Sequence, residues 1–167
     1  MRLRDVERND LEVYISMRCD PVMMAELGGP QPRERVPRQL ERDLQTVRDD
    51  TAWIKMIVVD DVDHAVGTVT LYSHEDSSEI GWMVLPEFQG RGLATEAVRA
   101  LLDLARADGR WGPIHAYPTT TNVASNAICR AAGFSLRGQE ETEFAGQAFV
   151  SNHWVFNPPH PPDPRDR

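Results

Sequence analysis

Hydrophobic and polar residues along the first third of the chain follow a strand pattern and then a helical pattern. Residues 2–6 predict a short strand, and residues 7–18 predict a helix in which Asn9 or Asp10 is the candidate N-cap. Residues 33–50 predict a further helix, because their apolar side chains recur at helical spacing: Val36, Leu40, Leu44 and Val47. Two or three helices are therefore expected before the main run of strands.

Three strands then follow in direct succession. Residues 52–60 are rich in β-branched side chains, and residues 65–73 read as the return strand of a hairpin. Residues 78–85 form a third strand, which ends at Pro86. Because short acidic turns join the three segments, the pattern predicts an antiparallel meander.

The second half of the chain alternates between helices and strands. Residues 93–109 predict a helix with one apolar stripe, formed by Ala94, Ala97, Val98, Leu101, Leu104 and Ala105. Residues 113–117 predict a short strand, and the next helix has Asn122 at its N-cap and Gly133 at its C′ position. A closing hairpin is expected around residues 145–146.

These elements predict one α+β domain over residues 1–156, with a mixed, largely antiparallel sheet of about seven strands flanked by helices. The following segment, 157–167, contains five prolines and predicts an extended, disordered tail. The 167-residue chain is 41% hydrophobic and 26% charged, which is typical of a soluble globular protein and long enough for a core of its own.

Composition also bears on location and on metal binding. No apolar run approaches the roughly 20 residues needed to cross a bilayer, and the charged start lacks the apolar middle of a secretory signal. We therefore expect a cytosolic protein without a membrane partner. Cys19 and Cys129 lie far apart and the five histidines are scattered, so we expect neither a disulfide framework nor a metal site.

The net charge of −8 is unevenly distributed. Residues 51–90 contain seven acidic side chains against a single basic one, Lys55. Nucleic-acid binding normally requires a basic stripe, which this pattern excludes. An acidic face attracts a cationic partner such as an amine, and it equally serves as a solvated surface that aids solubility.

Two glycines stand just before a helix in the segment PEFQGRGLATEA, residues 86–97. The first N–H groups of a helix have no intrahelical partner, and Gly90 and Gly92 would let a phosphate approach bare backbone, with Arg91 adding a positive charge. Tight packing at a helix start is the structural alternative. A dinucleotide fingerprint is disfavoured, because Thr95 occupies the third glycine position and the preceding strands form a meander.

The run from Gln89 to Ala94, QGRGLA, resembles the Q/R-x-x-G-x-G/A signature of the GNAT superfamily of N-acetyltransferases. The segments EIGWMVLPEFQGRGLATEA and NVASNAICRAAGF are similar to the branch that contains ribosomal-protein N-terminal acetyltransferases and some aminoglycoside acetyltransferases. The resemblance covers roughly residues 1–156 and implies a single-domain GNAT fold with acetyl-CoA as co-substrate.

The resemblance also implies which residues bind acetyl-CoA. The pyrophosphate would contact the backbone of Gln89, Gly90, Arg91, Gly92, Leu93, Ala94 and Thr95. Met83 and Val84, at the end of the third meander strand, would pair with the pantetheine arm. Asn122 and Ser125 match positions that contact the cofactor near its thiol end in relatives.

Catalysis in this family is a direct attack of the amine on the thioester. Glu79 is the candidate base by resemblance, and a solvent-facing strand acid is the alternative reading. Ser125 is the candidate for the leaving thiolate, against a simple first-turn capping role, and the backbone amide of Val84 is a candidate for the oxyanion. Cys129 replaces the tyrosine that many relatives use, which departs from the family pattern. His115 and His153 either line the amine pocket or belong to the core.

We therefore predict an N-acetyltransferase that acts on a primary amine, either a small cationic amine or aminoglycoside, or a protein N-terminus. The alternative is a non-catalytic acyl-CoA-binding sensor or assembly module, which the missing tyrosine motivates. A homodimer is compatible with the sequence.

Overall fold

A computed structural model describes residues 1–158, in which a seven-stranded sheet carries helices on both faces. The strands are β1 Arg2–Asp5, β2 Ala52–Val58, β3 Gly67–Ser73, β4 Ser78–Val84, β5 Ile114–Ala116, β6 Ser135–Phe144 and β7 Gln147–Phe156. The α-helices are α1 Leu11–Arg18, α2 Val36–Arg48, α3 Leu93–Asp108 and α4 Val123–Ala131. The predicted α+β class, the meander and the closing hairpin are confirmed, while the predicted tail lies almost wholly outside the described residues.

The sheet has the order β1-β2-β3-β4-β5-β7-β6 and is antiparallel except where β4 meets β5. That parallel contact consists of only two register pairs, Ser78 with Ile114 and Glu79 with His115. Beyond Glu79, β4 continues to Val84 with no strand paired on its β5 side in residues 1–158. The sheet is therefore open at its centre, next to the end of β4.

Two hydrophobic cores fix the helices on opposite faces of the sheet. On one face, α3 and α4 bury a cluster that includes Val69, Leu71 and Leu101. On the other face, α1 and α2 pack against β2 through a cluster that includes Ile54 and Leu40. Burial of this apolar area supplies the main driving force for the layered arrangement.

The buried stripe of α3 differs from the predicted one at four positions: Ala94 is only half-buried and Leu93 is buried, and the larger differences are at Leu104 and Leu102. Leu104 was expected to be in the stripe but is 46% exposed, whereas Leu102 is buried. Successive residues of a helix are turned by about 100°, so the buried arc is centred between Leu101 and Val98. Leu104 falls at the edge of that arc, on the side that faces solvent.

Helix ends agree with the sequence except at the start of α1. Asn122 caps α4 by accepting a hydrogen bond from the Ser125 N–H at 3.0 Å, as predicted. Asp10 occupies the N-cap position of α1, yet its carboxylate pairs with Arg4 at 2.6 Å and accepts from the Glu7 N–H at 2.8 Å. The acid therefore ties the start of α1 to β1 rather than capping the helix. Within residues 1–158, no helix has both the length and the apolar character needed to traverse a bilayer.

Candidate active site

The glycine turn between β4 and α3 has left-handed backbone at both glycines. Gly90 has φ +73°, and Gly92, the N-cap residue of α3, has φ +77°. The conformation alone therefore favours glycine at both positions. A Cβ built on either residue would meet nothing within 4 Å, so the turn faces open space rather than packed side chains. Tight packing does not explain these glycines.

The same turn presents a run of unpaired backbone donors. Within residues 1–158, no N–H group of residues 90–95 donates to a protein acceptor. The first helical bond of α3 is made by the Glu96 N–H to the Gly92 carbonyl at 3.0 Å. Free amides at a helix N-terminus carry partial positive charge and form a site suited to phosphate. This arrangement fits a diphosphate group.

Side chains of the turn hold it against the end of β4. The Gln89 Nε2 donates to the Val84 carbonyl at 2.8 Å, and the Arg91 guanidinium lies 5.6 Å from the centre of the Phe88 ring. Leu93 is buried in the α3 core, so only its backbone N–H is available to a ligand. The Gln89 side chain thus positions the turn beside the unpaired side of β4.

The predicted residues of α4 lie at its first turn. The Ser125 N–H is used by the Asn122 cap, but the Ser125 hydroxyl has no protein partner in the described part of the chain. Asn126 was not predicted and fixes this turn to β7, because its Oδ1 accepts from the Trp154 Nε1 at 2.9 Å and from the Asn152 Nδ2 at 2.8 Å. The sequence signal that could have indicated a role for Asn126 is a polar residue at a helix position that faces the core.

Cys129 lies one turn further along α4 and is fully buried in the core under α3. Burial raises the pKa of its thiol to about 12. A thiol enclosed by apolar neighbours has no route to a leaving group, so the geometry favours the packing role for Cys129. Of the two candidates on this helix, only Ser125 has an accessible polar atom.

Glu79 projects from β4 on the face covered by α1 and α2, and its side chain is 51% exposed. One carboxylate oxygen lies 3.7 Å from the His74 Nε2. Partial burial raises the pKa of Glu79, and the neighbouring His74 acts in the opposite direction. Its register partners are Tyr72 on β3 and His115 on β5. Glu79 therefore lies where β4 and β5 separate.

The two histidines left open by the sequence lie on the same face as Glu79. The His115 Nδ1 is 2.7 Å from the His153 Nε2, and the His153 Nδ1 is 2.7 Å from a carboxylate oxygen of Glu140. The Tyr117 ring stacks on His153 with centroids 4.8 Å apart. Burial, followed by the neighbouring His153, lowers the pKa of His115. Glu140 and Tyr117 were not predicted as site residues.

A third acid closes this face from the α1–α2 connection. Glu26 accepts a hydrogen bond from the Thr119 hydroxyl at 2.6 Å and from the Thr121 hydroxyl at 3.2 Å. The acidic face, defined as Glu26, Glu79 and Glu140, lies where β5 leaves β4. Burial, followed by Glu140 and Glu79, raises the pKa of the neighbouring Tyr117. Sequence reasoning missed Glu26 because 93 residues separate it from Thr119. Among residues 1–158, no cluster of three or more His, Cys, Asp or Glu is placed to hold a metal ion.

Comparisons with known sequences agree with this geometry. The family model described as "Acetyltransferase (GNAT) domain" matches residues 1–135. An uncharacterized N-acetyltransferase of Bacillus subtilis strain 168, YnaD, is 27% identical over 84 residues. That alignment covers 49% of this chain and 49% of the relative, so the match spans about half of the curated protein.

Solved structures share the fold over nearly the whole chain. An acetyltransferase of Salmonella typhimurium that modifies the N-terminal serine of a ribosomal subunit protein is 17% identical, with a TM-score of 0.81 and 93% coverage of both chains. A spermidine N-acetyltransferase of Vibrio cholerae, solved with CoA and spermine, is 20% identical, with a TM-score of 0.79 and coverage of 94% and 95%.

An aminoglycoside acetyltransferase solved with coenzyme A is 17% identical, with a TM-score of 0.76 and 93% coverage of both chains. The expected fold is thereby confirmed, and two of these three neighbours contain the predicted co-substrate's coenzyme. With a family model that matches 135 residues, the chain belongs to the GNAT acetyltransferase family.

Proposed function

We propose that the protein transfers an acetyl group from acetyl-CoA to a primary amine by direct attack of the amine. The observation that carries this proposal is the run of unpaired N–H groups over residues 90–95, set beside the unpaired side of β4. A diphosphate suits the first feature, and an extended amide-bearing arm suits the second. Acetyl-CoA contains both groups in one molecule.

The residues of the chain divide the binding of acetyl-CoA between two segments. Backbone N–H groups of residues 90–95 bind the pyrophosphate, with Arg91 adding a mobile positive charge, while the Gln89 N–H is already donated to the Pro86 carbonyl at 3.2 Å. The end of β4, at Met83 and Val84, pairs with the pantetheine arm as an added strand would. Bound in this way, acetyl-CoA supplies the thioester carbonyl near the first turn of α4, where Asn122 and Ser125 lie.

Glu79 is the proposed base, and two features support it. It lies where β4 and β5 separate, and partial burial raises the pKa of its carboxyl above the ordinary glutamate value. A raised pKa makes the carboxylate a stronger base for an ammonium group. The Ser125 hydroxyl, which has no protein partner in residues 1–158, is the proposed donor to the departing thiolate.

The proposed acceptor is a cationic primary amine. The acidic face provides negative charge, and the Tyr117 ring provides an aromatic surface on which a cation can rest. Among the structural neighbours, one acts on spermidine and another on a ribosomal protein N-terminus. Both a small polycationic amine or aminoglycoside and a peptide N-terminus fit this chemistry.

The test is a thiol-release assay with acetyl-CoA and a panel of polyamines, aminoglycosides, amino acids and short peptides with free N-termini. Turnover on one group identifies the substrate class. Glu79→Gln should then lower kcat/KM by about 100-fold, the usual contribution of a general base. Glu75→Gln, which changes an exposed acid of the preceding turn, should leave it unchanged.

Calorimetry of acetyl-CoA binding separates the two function classes. Tight binding without thiol release on any amine would contradict the transferase and favour the non-catalytic acyl-CoA-binding module. Equal activity in Glu79→Gln and wild type would reject Glu79 as the base while leaving the transferase intact. Absence of acetyl-CoA binding would reject the cofactor assignment itself.

A further inference from the structure

A continuous hydrogen-bonded chain runs from β5 across β7 to β6. It begins at His115, passes through His153 and ends at Glu140, and both of its links measure 2.7 Å. We propose that His115, His153 and Glu140 form a proton path from the acceptor-binding face to solvent, with His115 Nε2 as a proton acceptor in the acetyl transfer. This inference rests on the proposed function and assigns the step that follows attack by the amine.

The carboxylate at the end of the chain determines where each ring carries its proton. A carboxylate can only accept a hydrogen bond, so a His153 ring that carries one proton must carry it on Nδ1. The His153 Nε2 then has a lone pair, and the His115 Nδ1 must donate to it. The His115 Nε2 is consequently left with a free lone pair. The geometry of the path therefore prepares His115 as a base.

The free nitrogen of His115 lies in the right part of the fold to meet an amine. Within residues 1–158 it has no protein partner, and it is not among the enclosed unpaired atoms, so it is open to solvent. His115 is the register partner of Glu79 in the parallel contact of β4 and β5. Strands in register lie about 5 Å apart, so one amine can contact both side chains.

Proton balance requires two acceptors in this reaction. An ammonium acceptor loses one proton before it attacks, and Glu79 takes that proton. When the nitrogen bonds to the carbonyl carbon it becomes positively charged and must lose a second proton. Glu79, whose side chain is 51% exposed, releases the first proton to water. The Ser125 hydroxyl donates a proton to the thiolate when the C–S bond breaks and takes one back from water, and the second proton from the nitrogen leaves separately. The acceptor-binding face therefore needs an exit for one proton per turnover.

The proposed path provides that exit, and each proton that a group in the path gains is balanced by one that it passes on. The second proton moves from nitrogen to the His115 Nε2, while the proton on the His115 Nδ1 moves to the His153 Nε2. The proton on the His153 Nδ1 then moves to Glu140, whose side chain is 49% exposed and releases it to water. Each ring gains one proton and loses one, so neither stays charged. Exchange with water, in which each ring loses the proton on Nε2 and gains one on Nδ1, restores the original tautomers before the next turnover.

Several ionisable groups surround His115 and set its protonation. They come from the turn before β4, from β4, from the segment after β5, from β6 and from β7: His74, Glu79, Tyr117, Glu140 and His153. Burial, followed by His153 and His74, lowers the pKa of His115, and Glu140 acts in the opposite direction. His115 is therefore neutral at pH 7, as a base must be.

Substitution of His115, where the proton enters the path, is the first test. His115→Ala should lower kcat/KM on the accepted amine by about 100-fold while acetyl-CoA affinity is unchanged, and added imidazole should restore part of the activity. His64→Ala, which removes an exposed histidine of the β2–β3 loop, should have no effect. Wild-type activity in His115→Ala across the pH range would overturn the proposal without affecting the proposed function.

Substitution of Glu140, at the solvent end of the proton path, tests the residues that position His115. Glu140→Gln removes the charge that raises the pKa of His115, so the acidic limb of the kcat/KM profile should move to lower pH and the plateau should fall about tenfold. Glu141→Gln is the matched control, because it removes the same charge from the next residue of β6, on the opposite face. Identical profiles for the two variants would contradict the path.

Nitrogen NMR of the histidines in the wild-type chain gives a readout that does not depend on activity. At neutral pH, His115 and His153 should both carry the proton on Nδ1. A proton on the His115 Nε2 would overturn the proposal even in an active enzyme. The expected tautomers in a protein that acetylates no amine would instead locate the failure in the proposed function.

Discussion

Replacement of Gly92 by alanine separates ligand binding from backbone strain, because α3 offers a matched control. Gly92 begins the helix with φ +77°, and Gly109 ends it with φ +81°. A Cβ at either glycine would meet no protein atom within 4 Å. The two substitutions therefore introduce the same methyl group, the same strain and no clash. Only the one at Gly92 faces the unpaired amides of residues 90–95.

The expected costs follow from these conformations. An alanine held in the left-handed region costs about 1 kcal/mol, which lowers the Tm of a chain of this size by roughly 2–4 °C in both variants. A hydrogen bond to a charged group contributes about 1.5–3 kcal/mol. If the methyl group displaces the diphosphate from one amide, the Kd for acetyl-CoA rises roughly ten- to hundredfold in Gly92→Ala. Gly109→Ala should bind as wild type does.

Calorimetry of acetyl-CoA binding and a thermal melt of each variant provide the comparison. Equal Kd values for Gly92→Ala and Gly109→Ala, at equal Tm, would refute the assignment of the diphosphate to this turn. A much lower Tm in Gly92→Ala than in Gly109→Ala would show instead that the turn is held by contacts within the protein. Only a selective loss of affinity supports the reasoning.

Two further predictions concern α4 and the core under α1. Ser125→Ala keeps the N–H that Asn122 caps, so a fall in kcat on the order of 100-fold, measured as thiol release, would report on the hydroxyl alone. Cys129→Ala should leave kcat unchanged and lower the free energy of unfolding by about 1 kcal/mol. Tyr14→Phe removes the buried hydroxyl that donates to Asp43 at 2.8 Å, and urea denaturation should show a loss of about 1–3 kcal/mol, with an unchanged midpoint contradicting it.

The parts of the site that the sequence predicted are those formed by contiguous residues. The turn over residues 89–95 and the first turn of α4 each lie within one short segment, where glycine and capping chemistry have local causes. The meander was predictable for the same reason, since its strands follow one another through short turns. Local sequence signals were therefore sufficient to predict a turn, cap or hairpin that lies within one continuous segment.

The acidic face was not predictable, because register decides which side chains it contains. In the β6–β7 hairpin, Leu136 pairs with Trp154 but Gly138 pairs with His153, so a bulge inserts one extra residue into β6. After the bulge, Glu140 is opposite Ser151, on the same face as His153. Without the extra residue, the neighbouring residue of β6 would take that place, and the Glu140 carboxylate would point to the other face.

In the proposed function, the division of charge explains how an acidic chain can accommodate two substrates of opposite sign. With a net charge of −8, the protein cannot attract the diphosphate through its overall field. It instead offers backbone dipoles over residues 90–95, whose effect falls off within the first turn of α3. The acids Glu26, Glu79 and Glu140 can therefore remain on the acidic face, where the proposed cationic amine would be attracted. A basic pocket for the diphosphate would have pulled these carboxylates away and weakened the same field. In the proposed function, the glycine turn thus serves the amine as well as the coenzyme.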